Sequence, residues 1–191
     1  KEEPVLNDAV PGANIAVLTL ADGSQISLDD ANNGEIAFEA GIHIRKTAEG
    51  RLVYEAMPAL TGSEHQNLFN TISTPRGGQY QINLPDGSKV WLNAASSLKY
   101  PVAFNGNERL VELKGEAYFD IAHDRAKPFR VKSGTQVVEV FGTEFNINSY
   151  ENEPVIKPTL LRGSVKVFQV LNNSSAFLKP GQQSNTSSSG L

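Results

Sequence analysis

Alternation of apolar and polar residues runs through most of the chain and decides its fold class. Val90 and Leu92 alternate with Trp91 and its polar neighbours, and similar runs occur at residues 137–141 and 164–170. Such alternation places apolar side chains on one face of a β-strand and polar side chains on the other. Gly, Asn, Asp and Pro separate these runs at short intervals, as a many-stranded fold requires. We therefore predict an all-β chain with little or no helix.

One hairpin-like segment occurs twice, 64 residues apart. Residues 18–28 read LTLADGSQISL and residues 82–92 read INLPDGSKVWL. An Asp-Gly pair between alternating strands is a strong hairpin signal, because the turn needs a positive φ that glycine adopts freely. We therefore place Asp22-Gly23 and Asp86-Gly87 at hairpin tips.

A weaker repeat relates residues 113–119 to residues 161–167, which share a Leu-x-Gly pattern followed by alternating residues. Repeated β units stack their apolar faces against one another. The two repeats together predict β-hairpin units that form a sandwich-like or short solenoid-like domain.

Changes in composition suggest how the chain is divided. We expect a flexible lead at 1–9, an N-terminal β unit at 10–60 and a linker at 61–70. A larger β domain follows at 71–183, and residues 184–191, rich in Ser, form a second linker. Because the chain begins with Lys1 rather than Met, we expect a fragment or a processed form.

Charge and composition exclude several classes of function. The formal net charge of −4 argues against nucleic-acid binding by bulk charge. Residues 1–64 hold 4 Lys and Arg against 11 Asp and Glu, whereas residues 65–191 hold 13 against 10. The absence of cysteine removes disulfides, thiolate metal sites and cysteine nucleophiles. The longest apolar runs are far shorter than the roughly 20 residues of a membrane span.

The motifs of enzymes and metal sites are absent from the sequence. It contains no phosphate-binding loop, dinucleotide fingerprint, His-Glu-x-x-His or Gly-x-Ser-x-Gly. The segment at 29–34 resembles a calcium loop, but Ala31 and Ala40 stand where ligands belong. The histidines His43, His65 and His123 have no partner at ligand spacing. We therefore predict no enzymatic activity, no metal and no cofactor.

Two features are candidates for partner contact. Trp91 points away from the face that Val90 and Leu92 share, so it is either an exposed anchor or covered by another part of the chain. The basic stretch, which we define as residues 123–132, is either a docking surface for an acidic partner or a solvated loop and edge strand. Its candidate contact residues are Arg125, Lys127, Arg130 and Lys132.

Several long motifs, in one order, resemble the FecR-type domain. They lie at residues 73–101 (STPRGGQYQINLPDGSKVWLNAASSLKYP), 115–124 (GEAYFDIAHD), 127–129 (KPF), 141–147 (FGTEFNI), 160–165 (LLRGSV) and 178–183 (LKPGQQ). The resemblance runs from Ser73 to Gln183. The preceding segment, with Leu52-Val53-Tyr54, resembles the N-terminal extension of Bacteroidetes-type members.

This resemblance implies a function that composition does not reveal. FecR-type proteins are single-span anti-sigma regulators of the inner membrane. Their periplasmic part receives a signal from the signalling domain of an outer-membrane TonB-dependent transducer, and a cytoplasmic segment holds an extracytoplasmic-function sigma factor. The resemblance thus implies a periplasmic sensor and relay, with the span and sigma-binding segment before Lys1 and a C-terminal docking domain after residue 191. It implies no direct contact with nucleic acid, and membrane contact through the span alone.

The alternative is a carbohydrate-binding β module. In that interpretation Trp91 forms a stacking platform with Tyr80, Tyr100 or Tyr118. The platform requires that these rings be exposed and coplanar.

Overall fold

The computed structural model describes residues 12–56, 68–171 and 173–187. These residues form eighteen β-strands and no helix, which confirms the all-β prediction. Nothing in the described ranges is a helix of the length and apolar character that a membrane span needs.

The strands follow one another along the chain with short connections. The N-terminal strands are β1 (Ala13–Asn14), β2 (Val17–Thr19), β3 (Gln25–Ser27), β4 (Gly34–Glu39), β5 (Ile42–Lys46) and β6 (Leu52–Ala56). The central strands are β7 (Phe69–Ser73), β8 (Gly78–Asn83), β9 (Lys89–Leu92), β10 (Ser97–Pro101) and β11 (Arg109–Asp120). The C-terminal strands are β12 (Phe129–Ser133), β13 (Gln136–Val140), β14 (Glu144–Ser149), β15 (Val155–Arg162), β16 (Val165–Gln169), β17 (Ser175–Leu178) and β18 (Thr186–Ser187).

The strands form two sheets that share one strand. The first sheet has the order β3-β2-β7-β10-β11-β12-β13-β16-β17. The second sheet has the order β4-β5-β6-β8-β9-β11-β14-β15-β18, with β1 also paired to β8. The chain passes back and forth between the sheets while it advances along them. The result is a sandwich-like fold with a solenoid-like progression.

The long strand β11 belongs to both sheets. Its first half, up to Lys114, pairs with β10 and β12, and its second half, from Gly115, pairs with β9 and β14. The change occurs at Gly115, whose φ is +86°. A Cβ at this position would lie 2.3 Å from Ser96 Oγ, so the crossing requires glycine both for its conformation and for space.

The core lies between the two sheets. The Phe119 ring of the second sheet stacks on Phe145 at 4.9 Å and meets Phe129 of the first sheet at 6.4 Å. The hydroxyls of Tyr54 and Tyr100, also from opposite sheets, lie 2.6 Å apart. Each fully buried side chain of this size contributes about 1.5–3 kcal/mol through removal from water. This contact across the sheets supports the sandwich interpretation.

Both predicted hairpin tips are confirmed. The first repeat forms the β2–β3 hairpin and the second forms the β8–β9 hairpin. Gly23 and Gly87 have φ angles of +87° and +83°. Each glycine ends a three-residue loop, the hairpin connection in which a turn is followed by a left-handed residue. The first hairpin lies in the first sheet and the second hairpin lies in the second sheet.

Both copies of the weaker repeat lie where the chain crosses from one sheet to the other. Gly115 lies where β11 leaves the first sheet for the second, and Gly163 lies where the chain leaves β15 in the second sheet for β16 in the first. The Leu-x-Gly pattern therefore occurs at crossings between the sheets.

The predicted divisions of the chain do not separate sheets. β2 pairs with β7 and β6 pairs with β8, so strands from both sides of the linker predicted at 61–70 share both sheets. β7 also begins inside that linker, at Phe69. In the linker predicted at 184–191, Thr186 and Ser187 pair with β15. The lead predicted at 1–9 lies outside the described residues.

Candidate functional site

Trp91 is exposed on the outer face of the second sheet. Val90 and Leu92 on either side are buried in the core, which forces the indole outward. Trp91 is 37% exposed, and its ring lies 5.3 Å from that of Tyr118 at an interplanar angle of 61°. The structure therefore decides between the two interpretations of Trp91: the rest of the described chain leaves it partly open.

Trp91 lies in a groove of about 390 Å³. Four residues in register on neighbouring strands cross its floor: Gln81, Trp91, Tyr118 and Asn146. The turn between β5 and β6, with Glu49 and Arg51, borders the groove at one end. We name this feature the Trp91 groove.

Hydrogen bonds fix the polar side chains of the Trp91 groove. Glu116 accepts from Asn93 Nδ2 at 2.8 Å and from Asn146 Nδ2 at 2.9 Å, one amide on each carboxylate oxygen. The Tyr118 hydroxyl donates to Glu144 Oε2 at 3.2 Å. Partial burial and the nearby Glu144 carboxylate raise the pKa of Tyr118. The groove thus presents an ordered set of amide, carboxylate and phenol groups around one indole.

The stacking platform expected under the carbohydrate alternative is not formed. Tyr80 is 3% exposed and Tyr100 is fully buried, because both side chains point into the core. Tyr118 does lie beside Trp91, but the 61° angle between the rings is far from coplanar. The expectation of a flat platform with Tyr80 or Tyr100 is therefore wrong.

Two of the four basic candidates, Arg130 and Lys132, pair with carboxylates of the same chain. Arg130 contacts both Glu108 and Glu139, the latter at 2.6 Å, and these hydrogen bonds raise its pKa. Lys132 lies 3.7 Å from Glu112.

Lys127 donates to the Phe104 carbonyl. Arg125 is exposed on the loop before β12 and forms no ion pair with the described residues. Of the four basic candidates, Arg125 is therefore the one whose charge is most available.

The structure does not bring Trp91 and the basic candidates onto one surface. Trp91 lies on β9 of the second sheet, whereas Arg130 and Lys132 lie on β12 of the first sheet. In both strands the alternate residues fill the shared core, so these side chains face outward in opposite directions. If both contact partners, Trp91 and the basic stretch therefore do so on two separate surfaces of the domain.

The histidines provide no metal centre within the described ranges. His43 Nδ1 lies 2.5 Å from Glu35 Oε2 on the outer face of the second sheet, and His123 is exposed. No three His, Asp or Glu side chains of the described residues converge as metal ligands. His65 lies outside the described residues.

The fold contains a buried ion pair that was not predicted from the sequence. Arg109, 2% exposed, donates from Nη1 to Asp86 Oδ2 at 2.6 Å and to the Ala122 carbonyl at 2.9 Å. Its Nε donates to the Lys127 carbonyl at 3.0 Å. The signal was present, because Arg109 occupies an inward position of the alternating strand that continues with Val111 and Leu113. An arginine at such a position needs a buried acceptor.

Comparison with known proteins gives the family. The sequence model of the FecR protein family matches residues 70–166, just over half of the chain. No curated protein matches the chain. The larger β domain was predicted at residues 71–183, and the family match ends at residue 166. Residues 167–183, including the predicted closing motif, lie beyond it.

Two crystal structures from Parabacteroides distasonis ATCC 8503, each of a protein assigned as an anti-sigma factor, are similar to this chain. Both are 34% identical to it, with TM-scores of 0.61 and 0.60. They cover 64% and 63% of this chain, which in turn spans 57% of the length of each. Because the family model covers the chain from β7 into β16, the chain belongs to the FecR protein family.

Proposed function

We propose that the chain is the periplasmic sensor and relay region of a membrane-anchored anti-sigma regulator. Its family and its likeness to the P. distasonis structures support a regulatory, non-catalytic role. In this proposal the signal comes from the signalling domain of an outer-membrane TonB-dependent transducer. The regulator responds by changing its hold on an extracytoplasmic-function sigma factor. The sigma-binding segment and the membrane span belong to parts of the protein outside this chain.

The shared strand β11 is the observation that best supports a relay. A force on the second sheet reaches β10 and β12 of the first sheet through the backbone of one strand. The Arg109–Asp86 pair also ties the start of β11 to the β8–β9 hairpin. A signal then requires two arrangements of this domain with different partner affinities.

Calorimetric titration with the purified signalling domain of the cognate transducer tests the proposal. Two proteins are compared: this chain, and a longer one that continues through the C-terminal region of the natural protein. Binding by the longer protein alone would make this chain a relay with docking elsewhere. Binding by this chain would place part of the docking surface on it. Absence of binding by both would contradict the sensor function.

Arg125 provides a sharper variant for the same titration. Its charge is exposed and unpaired among the described residues, so Arg125→Glu reverses one charge without breaking an ion pair of the fold. Arg76→Glu, at an exposed position in the turn between β7 and β8, makes the same charge change elsewhere. If the basic stretch contacts the transducer, Arg125→Glu weakens binding about tenfold while Arg76→Glu does not.

A further inference from the structure

We infer that the Trp91 groove is a binding site for a saccharide. The inference does not rest on the proposed function, because it follows from the side chains on the outer face of the second sheet. A pyranose ring has a face of C–H groups and a rim of hydroxyls that both donate and accept. A protein site for it therefore combines an exposed aromatic face with amide and carboxylate groups in fixed positions.

The aromatic part of the site is Trp91 itself. It keeps 37% of its surface exposed although it lies on an inner strand of its sheet, with β8 on one side and β11 on the other. Tyr118, packed against it at 5.3 Å, holds the indole in place. One supported ring suits a single sugar unit, unlike the flat row of rings that a platform would require.

The polar part of the site surrounds this ring. Asn93, Glu116 and Asn146 form a hydrogen-bonded trio in which both carboxylate oxygens already accept one amide donor. Each oxygen keeps a further lone pair. The Asn146 carbonyl oxygen is an acceptor for a sugar hydroxyl, and the Asn93 carbonyl oxygen, which accepts from the Ala94 N–H at 2.8 Å, keeps one further lone pair. Gln79 and Gln81 line the same groove from β8 and add donors and acceptors. Because the trio is preorganised, binding costs little side-chain entropy.

A protein segment fits this groove less well. The backbone groups of β8, β9, β11 and β14 at the groove are used by neighbouring strands, so no edge is open for strand addition. Apart from Tyr118, the side chains around Trp91 in the groove are mostly amides and charged groups, whereas the core of a protein interface is usually depleted in charge and rich in apolar contacts. The volume of about 390 Å³ lies in the range of small-ligand pockets.

Trp91 is the single tryptophan of the chain, so its fluorescence reports on this groove alone. We would titrate the full chain with maltotriose, cellotriose, mannotriose and chitotriose, which differ in linkage, epimer and N-acetyl substitution. Sorbitol serves as an open-chain control that lacks a ring face. We expect at least one trisaccharide to give a saturable change with a Kd of about 0.1–1 mM, and sorbitol to give none.

Calorimetry on variants then locates the site. Trp91→Ala is expected to weaken binding at least about tenfold and Asn146→Ala about threefold or more. Phe177→Ala removes an aromatic side chain, 68% exposed, from the first sheet and should leave affinity unchanged. If circular dichroism shows that Trp91→Ala does not fold, the affinity of Asn146→Ala for the saccharide decides whether the groove is the binding site.

Two results would overturn the inference. One is the absence of a saturable change with all four trisaccharides, including the case in which only the transducer signalling domain alters Trp91 emission. The other is a saccharide that binds the groove variants as tightly as the unmodified chain. Neither result touches the proposed function, since transducer binding is measured separately by calorimetry.

Discussion

The two Asp-Gly hairpins share a turn and differ in what the turn contacts. In both, the leucine N–H donates to the serine carbonyl, at 2.9 Å in the first and 2.8 Å in the second. Asp22 and Asp86 each accept from the serine N–H two residues on, at 2.8 and 3.0 Å. Asp22 is exposed, whereas Asp86 also accepts from the Ser88 hydroxyl and from buried Arg109.

The two hairpins show which features of the turn come from the local sequence and which come from tertiary contacts. The five-residue pattern Leu-x-Asp-Gly-Ser is sufficient for the turn, since it produces the same backbone in two different sheets. The second copy acquires a further role because Arg109 of β11 reaches its aspartate. Equivalent substitutions in the two copies should therefore have different effects wherever the side chain contacts another element.

The largest difference is expected between Asp86→Ala and Asp22→Ala. Loss of Asp86 leaves the buried Arg109 guanidinium without its counter-charge and should lower the free energy of unfolding by about 3–5 kcal/mol. Loss of the exposed Asp22 should change it little. Urea denaturation measures both, and Asp86→Asn, which keeps the turn acceptor, isolates the charge. Equal losses at the two positions would show that the ion pair does not stabilise the fold.

The serines give the next largest difference. Ser88 is fully buried, and its hydroxyl donates to Asp86 at 2.7 Å while accepting from the Ala122 N–H at 3.0 Å. Ser88→Ala should cost about 1–3 kcal/mol, because the Ala122 N–H loses its acceptor. Ser24→Ala, at an exposed position, should have no measurable effect in the same denaturation experiment. A comparable loss for Ser24→Ala would contradict the assignment of the difference to tertiary contacts.

The glycines should behave alike in the two copies. Gly23→Val and Gly87→Val each force a β-branched residue into positive φ, at a cost of about 1–2 kcal/mol. No heavy atom lies within 4 Å of the Cβ position in either turn, so the cost comes from the backbone alone. Thermal unfolding should show similar decreases in Tm. An unchanged Tm for Gly87→Val would refute the turn itself.

The last difference appears only at alkaline pH and is absent near neutral pH. Tyr80 on β8 has Ala16 as its counterpart in the first repeat, and burial, with a smaller contribution from Asp29, raises the pKa of Tyr80 to about 12. The unfolded phenol ionises near pH ~10. Because the folded state holds its proton longer, stability is complete below that pH and falls as the pH rises toward 12.

Tyr80→Phe should therefore make the free energy of unfolding fall less steeply at high pH. Near neutral pH, any change in that free energy should come from packing alone. Urea denaturation at a series of alkaline pH values measures this slope. A residual slope is expected from Tyr54 and Tyr100, whose pKa values burial also raises. Identical slopes for Tyr80→Phe and the unmodified chain would rule out Tyr80 as a source of the dependence.

Much of the fold was predictable because it depends on local pattern. Alternation around Val90 and Leu92 gave the strands, and the Asp-Gly pairs gave the turns. The two-sheet arrangement was less accessible, because nothing local distinguishes a strand of one sheet from a strand of the other. Gly115 shows the difficulty: its pattern was visible, but its role depends on Ser96, which approaches from the connection just before β10.

The candidate site was predictable only in part. The outward position of Trp91 followed from alternation, but whether anything covered it depended on chain packing. The trio of Asn93, Glu116 and Asn146 comes from the residue after β9 and from β11 and β14, which are far apart in sequence. The charge run of the basic stretch was visible in the sequence. The pairing of Arg130 and Lys132 with Glu108, Glu112 and Glu139 becomes visible only when β11, β12 and β13 are adjacent.

The strand shared by both sheets limits how this family can vary in length. Side chains alternate along a strand, so one extra residue within 109–120 would turn inward positions outward in two sheets at once. The β5–β6 turn at 47–50 and the exposed residues 105–107 connect elements without such a constraint. Insertions and deletions among relatives should therefore accumulate in these loops and be rare in β11. The length of β11 should stay constant across the whole family.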